Sequence, residues 1–362
     1  MIAGRSTRHT GDVTDDQPDP AAVLRRIAYL LERAREETYR VRAYRTAAAT
    51  AGTAGLEDLR RRHAAGTLTD LPGIGKKTAS IIADVLDGRT PDYLAGLEET
   101  ADGPVTSGGA TMRQALRGDL HTHSDWSDGG SPITDMVQAA RDLGHEYIAL
   151  TDHSPRLTVA NGLSAERLHR QLDVIDDINA QADAEAWGIR ILTGIEVDIL
   201  DDGRLDQTPE LLDRLDVVVA SVHSKLRMGS DDMTKRMVTA IANPRVDVLG
   251  HCTGRLITGG RGTRPESTFD ADIVFAACAR FDVAVEINSR PERLDPPMRL
   301  LHDAVAAGCR FSIDTDAHAP GQLEWQPYGC ERAEDASVPP ERGVNTWPVT
   351  DLLAWTGTAP AK

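Results

Sequence analysis

The sequence of 362 residues has no stretch approaching the ~20 uninterrupted apolar residues of a membrane span, so no membrane helix is expected. Its first twenty residues, MIAGRSTRHTGDVTDDQPDP, lack the apolar core of a secretory signal, which makes a cytoplasmic location the expectation. Cysteine is scarce: the four residues, at 252, 278, 309 and 330, include no CxxC pair. That argues against a disulfide framework, and a chain of this length needs no covalent staples. Neither a GxSxG elbow nor a Cys–His arrangement supplies a side-chain nucleophile.

What is present is ordinary globular composition, 40% hydrophobic and 27% charged, at a length that suits two domains. The net charge of −16 is unevenly spread. Residues 20–90 hold 13 Lys+Arg against 8 Asp+Glu, whereas residues 91–362 hold 25 against 44. A small basic head therefore precedes a large acidic body. A basic head suits nucleic acid, whose binding rests largely on phosphate neutralisation.

The organisation follows the same division. Residues 1–19 are polar and expected as a disordered tail. From 20 to 49 the apolar residues Val23, Ile27, Leu30, Leu31 and Ala34 recur at helical spacing. The run Leu71-Pro72-Gly73-Ile74-Gly75-Lys76-Lys77 reads as a tight turn entering a helix. The head is thus an all-α domain over 20–100. A small-residue linker is expected over 101–114. Over 115–362, short apolar runs alternate with helical ones: 115–120, 147–150, 190–195, 217–220, 246–249, 283–287 and 311–313. Seven such repeats predict an α/β domain with a parallel sheet, closed as a barrel or open.

The sixth of the seven predicted strands is followed by Asn288, and the other six by metal-binding residue types. These are His121, His123 and Asp128; His153; Glu196; His223; His251; then Asp316 and His318. In a parallel barrel they all fall on the C-terminal rim, where such enzymes place their chemistry. His121 and His123 are two apart, so an extended backbone points both side chains one way. Nine N/O donors exceed the need of one or two tetrahedral ions, and three ions fit. The mixture of His and carboxylate suits Zn, Mn or Fe(II). Cys252, beside His251, is left out because neighbouring strand residues face opposite ways.

These motifs resemble the PHP (polymerase and histidinol phosphatase) superfamily. The likeness rests on Gly118–Gly129 (GDLHTHSDWSDG), Thr151-Asp152-His153, Gly194-Ile195-Glu196, Ser221-Val222-His223, Gly250-His251 and Asp314-Thr315-Asp316-Ala317-His318. It implies a distorted seven-stranded (β/α) barrel hydrolysing phosphoesters at a centre of two to three divalent ions. It further implies that Glu196 bridges two ions, that His121, His123 and Asp316 complete one, and that His223 and His251 complete another. Asp128, His153 and His318 would hold the third. Glu196 and Asp316 are accordingly the expected catalytic carboxylates. Arg255 and Lys225, just past ligand-bearing strand ends, either hold a phosphate oxygen or make surface salt bridges.

Head and body together resemble the two ends of a bacterial family X DNA polymerase, with Tyr39–Tyr44 (YRVRAY) and the 71–75 turn in the head. The turn is similar to a helix-hairpin-helix element, with Gly73, Gly75, Lys76 and Lys77 as expected DNA contacts. The polymerase palm has no room between the two parts, so no polymerase activity is expected. The resemblance implies a DNA phosphoesterase, as a 3′–5′ exonuclease or 3′-end processing enzyme in DNA repair. A small-molecule phosphatase of the histidinol-phosphatase type and a non-catalytic DNA-binding accessory are the alternatives. The sequence leaves the oligomeric state open.

Overall fold

The structure, a computed structural model, describes residues 19–259 and 262–357. The tail expected over 1–19 therefore lies, except for its last residue, outside the described residues. The chain divides into two compact units. One comprises Thr38–Asp102 with the preceding helix up to Leu31; the other comprises Glu32–Glu37 and everything described from Gly103 on.

The first unit is helical: α1 (Pro20–Arg33), α2 (Thr38–Ala65), α3 (Lys76–Leu86) and α4 (Asp92–Ala101). The periodicity over 20–49 resolves into two helices, separated at a residue, Arg35, whose φ is 61°. α2 is interrupted again at Gly55, with φ 75° and ψ 160°. Leu24, Ile27, Ala47, Ala51, Leu59, Ile81 and Ile82 form its core. The turn before α3 is pinned from below by Ile74, 5% exposed. Gly73 has φ +78°, and a Cβ there would lie 2.5 Å from Thr46 Cγ2, so only glycine fits.

The second unit opens with α5 (Ala110–Ala115) and continues as β1 (Gly118–Thr122), α6 (Ile133–Asp142), β2 (Tyr147–Leu150), α7 (Ala165–Ala184), β3 (Arg190–Asp198), α8 (Pro209–Leu212), β4 (Val217–Ser221), α9 (Ser230–Ile241), β5 (Val248–Leu249), α10 (Ala271–Phe281), β6 (Ala284–Asn288), α11 (Met298–Ala306) and β7 (Phe311–Asp314). The elements α12 (Gln326–Asp335) and α13 (Val349–Trp355) follow. All neighbouring strands pair in parallel, in sequence order. The expected seven-stranded α/β architecture is therefore present. Continuous apolar runs such as Val217-Val218-Val219-Ala220 form strands because both faces are covered. Side chains start the covering helices: Ser164 caps α7 by accepting from Arg167 N at 3.2 Å, and Asp270 caps α10 by accepting from Ile273 N at 3.1 Å.

The sheet closes through side chains as much as backbone. β1 and β7 meet at a single parallel bridge, Thr122 to Ala317, where His123 N donates to Ala317 O at 2.8 Å. Below it, Leu120 N donates to the Asp314 carboxylate at 2.8 Å. Thr315 Oγ1 donates to the Asp119 carboxylate at 2.6 Å. The amides of Gln326 and Asn345 each donate to both Gly118 O and Ile313 O, at 2.8–3.2 Å.

Two differences from expectation lie on the approach to the barrel. The first strand is not 115–120 but Gly118–Thr122, because the apolar residues around Met112 belong to α5 and bury against the barrel. The segment expected as a linker packs within the second unit from Gly103 on. Gly109 N and Met112 N donate to the Glu334 carboxylate at 3.1 and 2.8 Å. Small residues here let the chain approach α12 closely. Among the described residues no helix is long and apolar enough to cross a membrane.

His145, just before β2, is 3% exposed, and burial followed by the nearby Arg113 charge lowers its pKa to about 3. The unfolded chain takes up this proton near pH 6.5, whereas the folded chain resists until about 3. Stability is therefore lost as pH falls through that window. Equilibrium urea unfolding is expected to show that His145→Gln loses less stability than the parent between pH 6.5 and 5.5, by about 1 kcal/mol. Equal losses in both proteins would contradict the buried neutral state.

Candidate metal centre

Glu196 lies inside β3, its side chain 0% exposed. The backbone there is fastened to the end of β2, with Glu196 N donating to Thr151 O at 3.0 Å and Glu196 O accepting from Ser154 N at 3.1 Å. The two carboxylate oxygens face different imidazoles. Oε1 lies 2.8 Å from His251 Nε2 and 3.1 Å from His223 Nε2. Oε2 lies 2.8 Å from His153 Nδ1, 3.4 Å from His121 Nε2 and 3.6 Å from His123 Nε2.

Asp128 Oδ1 stands 3.3 Å from His318 Nε2 and 3.5 Å from His153 Nε2. Asp316 Oδ1 stands 3.5 Å from His123 Nε2. The structure thus brings all nine residues named from the sequence into one cluster. Three groups have donor atoms mutually within 4.8 Å: His123, Asp128, His153 and His318; His121, His123 and Glu196; and His153, Glu196 and His223. His123, His153 and Glu196 are each shared between two groups, a more interlocked arrangement than three separate ligand sets.

Local backbone delivers these side chains. His121 and His123 alternate along and just past β1, and their rings lie 5.2 Å apart. Glu196 is within β3 rather than after it, because that strand runs on to Asp198. His251 and Asp316 adopt left-handed φ values of 34° and 53°, which turns the chain sharply as it leaves β5 and β7.

The donor atoms fit cations. Both Glu196 oxygens, His121 Nε2, and both nitrogens of His123 and His251 are buried without a hydrogen-bond partner. Left so, they would forfeit their hydration without compensation. Burial would raise the Glu196 pKa, yet the His223, His153 and His121 rings hold it well below the usual carboxylate range. Burial likewise opposes Asp316, and His123, Arg293 and Arg290 hold it well down. Burial lowers His123 to about 3 and His251 to about 4, which keeps their lone pairs free. His223 goes to about 9 against its burial, because Glu196 and Asp198 favour its proton. Divalent cations replace such protons when they bind.

Sequence reasoning marked Asn288 at a strand end but gave no role to it or to the other residues that aim these side chains. Glu286, 0% exposed on β6, places Oε1 2.5 Å from His121 Nδ1 and leaves Nε2 toward Glu196. Asp198 Oδ1 lies 3.3 Å from His223 Nδ1. Arg293 Nε and Asn288 Nδ2 donate to Asp316 Oδ2 at 3.1 and 3.3 Å. The signal was a polar residue every second position in an otherwise apolar strand, Glu196/Asp198 and Glu286/Asn288. Asp152 is spent on structure, accepting from Ser124 N at 2.8 Å and Gln171 Nε2 at 2.5 Å.

Arg255 and Lys225 are not brought to the cluster. Arg255 donates from Nε to Arg293 O at 3.0 Å and from Nη2 to Leu294 O, and Nη1 faces Glu266. Lys225 Nζ sits 2.6 Å from Asp201 Oδ2. Long side chains at a strand end reach the nearest carbonyl or carboxylate. Cys252 stays a buried thiol, its pKa pushed well up by burial and Asp295. In the helical unit, Gly73, Gly75, Lys76 and Lys77 are all exposed. Gly75 has φ −90°, and its N–H already donates to Thr78 Oγ1 at 3.0 Å, so the free N–H groups begin with the lysines.

Comparison with known proteins agrees with this geometry. A PHP domain matches residues 119–289, and a helix-hairpin-helix domain matches residues 15–90. The DNA polymerase/3′-5′ exonuclease PolX of Bacillus subtilis (strain 168) is 38% identical over 240 residues, 66% of this chain. The match spans only 41% of that relative's length. A probable phosphatase of Thermoanaerobacter sp. (strain X514) is 30% identical over 239 residues, 63% of this chain and 89% of its own. A solved histidinol phosphate phosphatase from Lactococcus lactis, complexed with zinc, L-histidinol and phosphate, has a TM-score of 0.44 at 18% identity, over 61% of this chain and 92% of its own. Parallel barrel and histidine–carboxylate rim define a phosphoesterase hydrolase. The chain belongs to the PHP-domain family.

Elemental analysis of gently purified protein is expected to return two to three transition-metal equivalents per chain. Glu196→Gln, which puts a neutral amide in place of the carboxylate at the centre of the cluster, is expected to lose at least one. Less than one equivalent in the parent after reconstitution would overturn the multinuclear reading.

Proposed function

We propose that this chain hydrolyses phosphodiester bonds of DNA, as a 3′–5′ exonuclease or 3′-end processing enzyme without polymerase activity, and that its helix-hairpin-helix unit is the DNA handle. The observation that carries this is one chain holding both the nine-residue cluster and an exposed turn presenting Lys76 and Lys77 at the start of α3. The nuclease activity in the name of the Bacillus relative supports it. Only about fifteen residues separate the head from β1, too few for a palm.

Bound divalent cations supply Lewis-acid polarisation of the phosphoryl group and a water of lowered pKa. The chain's residues prepare the rest. Glu196 offers one oxygen to each of two imidazole sets and so keeps the two sides of the cluster at fixed separation. Neutral His123 and His251 donate lone pairs without first losing a proton. Glu286 holds the tautomer and angle of His121. Arg293, anchored on Asp316 through Nε, keeps Nη1 buried without a partner, free to meet charge that develops on a phosphoryl oxygen. This role replaces the one expected of Arg255 and Lys225.

A small-molecule phosphatase is the second reading. It is favoured by the excess of 44 acidic over 25 basic residues from position 91 on, which repels a long polyanion.

Purified full-length protein, supplied with Mn or Zn, is to be compared on 3′-labelled oligonucleotides and on histidinol phosphate. Stepwise shortening from the 3′ end, abolished by chelation, is the expected result. Turnover of the monoester alone would transfer the assignment to the second reading. Glu196→Ala is expected to lower hydrolysis by several orders of magnitude while the chain stays folded. Lys76→Ala with Lys77→Ala is expected to weaken DNA binding and reduce its salt slope by about two. An unchanged slope would remove the handle.

A further inference from the structure

Away from the metal cluster, the barrel mouth is electrically lopsided. The loops after β1 and β3 carry Asp125, Asp201, Asp202 and Asp206. Those after β4 and β5 carry Arg227, Arg255 and Arg264 in addition to Lys225, which Asp201 neutralises. Arg227 is exposed and makes no ion pair among the described residues. The two basic loops form one surface, because Ser267 Oγ donates to Leu226 O at 2.8 Å and Leu226 packs directly on Gly254.

After His251 the chain doubles back, with Leu256 and Arg264 exchanging both backbone hydrogen bonds at 2.9 Å. Beside this pairing is a cavity of about 440 Å³ lined by Arg255, Ile257, Arg264, Pro265 and Glu266. Ile257 is 45% exposed there, which leaves an apolar face among the arginines. Its lining is tied to the cluster by hydrogen bonds that start at Arg255. Arg255 Nε donates to Arg293 O, and Arg293 Nε donates to Asp316 Oδ2.

We propose that this cavity is the subsite for the nucleotide adjacent to the scissile phosphate, its base against Ile257 and Pro265 and the next phosphate toward Arg227. The inference rests on the reading of a DNA strand as substrate. A cavity of this size admits one nucleoside. Apolar and guanidinium surfaces accept any base by its face, which gives binding without sequence preference. The acidic loops after β1 and β3 repel a phosphate chain, which favours the side of Arg227. A small monoester ends at the cluster and leaves the cavity unused.

The test uses full-length protein and two substrates, a short single-stranded oligonucleotide and the chromogenic diester bis(p-nitrophenyl) phosphate. The quantity read is the ratio of their kcat/KM values. Ile257→Asp and Arg227→Glu are each expected to lower this ratio at least about tenfold, mainly through the oligonucleotide KM. Arg227→Ala should flatten the salt dependence of oligonucleotide cleavage by about one unit of log–log slope. Arg280→Glu, near the end of α10 remote from the rim, should leave the ratio alone. If the parent cleaves oligonucleotides but both rim variants keep its ratio, the subsite is overturned and the DNA reading survives. If the parent cleaves only phosphomonoesters, the DNA reading falls and takes the subsite with it.

Discussion

One buried carboxylate sets the terms for the barrel. The Glu196 carboxylate has no solvent exposure and no hydrogen-bond partner, yet it is ionised among five imidazoles. A charge in that position is tolerable only with positive charge close by. Either protons on His121 and His223 supply it or metal cations do. The length of β3, the seating of Glu286 behind His121 and the hold of Asp198 on His223 all serve the same centre. Each fixes a donor atom that the carboxylate would otherwise meet in several orientations.

The metal-site residues were legible in the sequence for a topological reason. In a parallel barrel every strand ends on the same face, so residues scattered from 121 to 318 meet if each follows a strand. The geometry asks no long-range guess beyond closure. What was not legible depended on details of chain direction. The apolar residues near Met112 could form strand or helix, and only their burial against the barrel made them α5. His and Asp accept a left-handed backbone more readily than most residues, but nothing singles out 251 and 316 among the chain's others. Arg255 follows a strand end just as the clustered residues do, but its long side chain bends away to the carbonyls of Arg293 and Leu294. Arg293 reaches the cluster from a loop that carries no strand-end signature.

The helical unit shows a similar split between pattern and requirement. Its turn contains two glycines that look equivalent in sequence. Gly73 is forced by its positive φ and by Thr46, whereas Gly75 has ordinary φ and open space where a side chain would go. The motif as a pattern therefore overstates how much of it the backbone demands. The second glycine leaves the start of α3 uncluttered.

The polar seam between β1 and β7 has an effect unconnected with chemistry at the rim. An open sheet of seven parallel strands would end in two edges, each a row of unsatisfied amides and carbonyls able to recruit a strand from another molecule. Here Gly118 O, Leu120 N and Ile313 O already have partners in Asn345, Gln326 and Asp314. The side chains that complete the barrel thus also deny a foreign strand its template, and protect the folded protein against edge-to-edge aggregation.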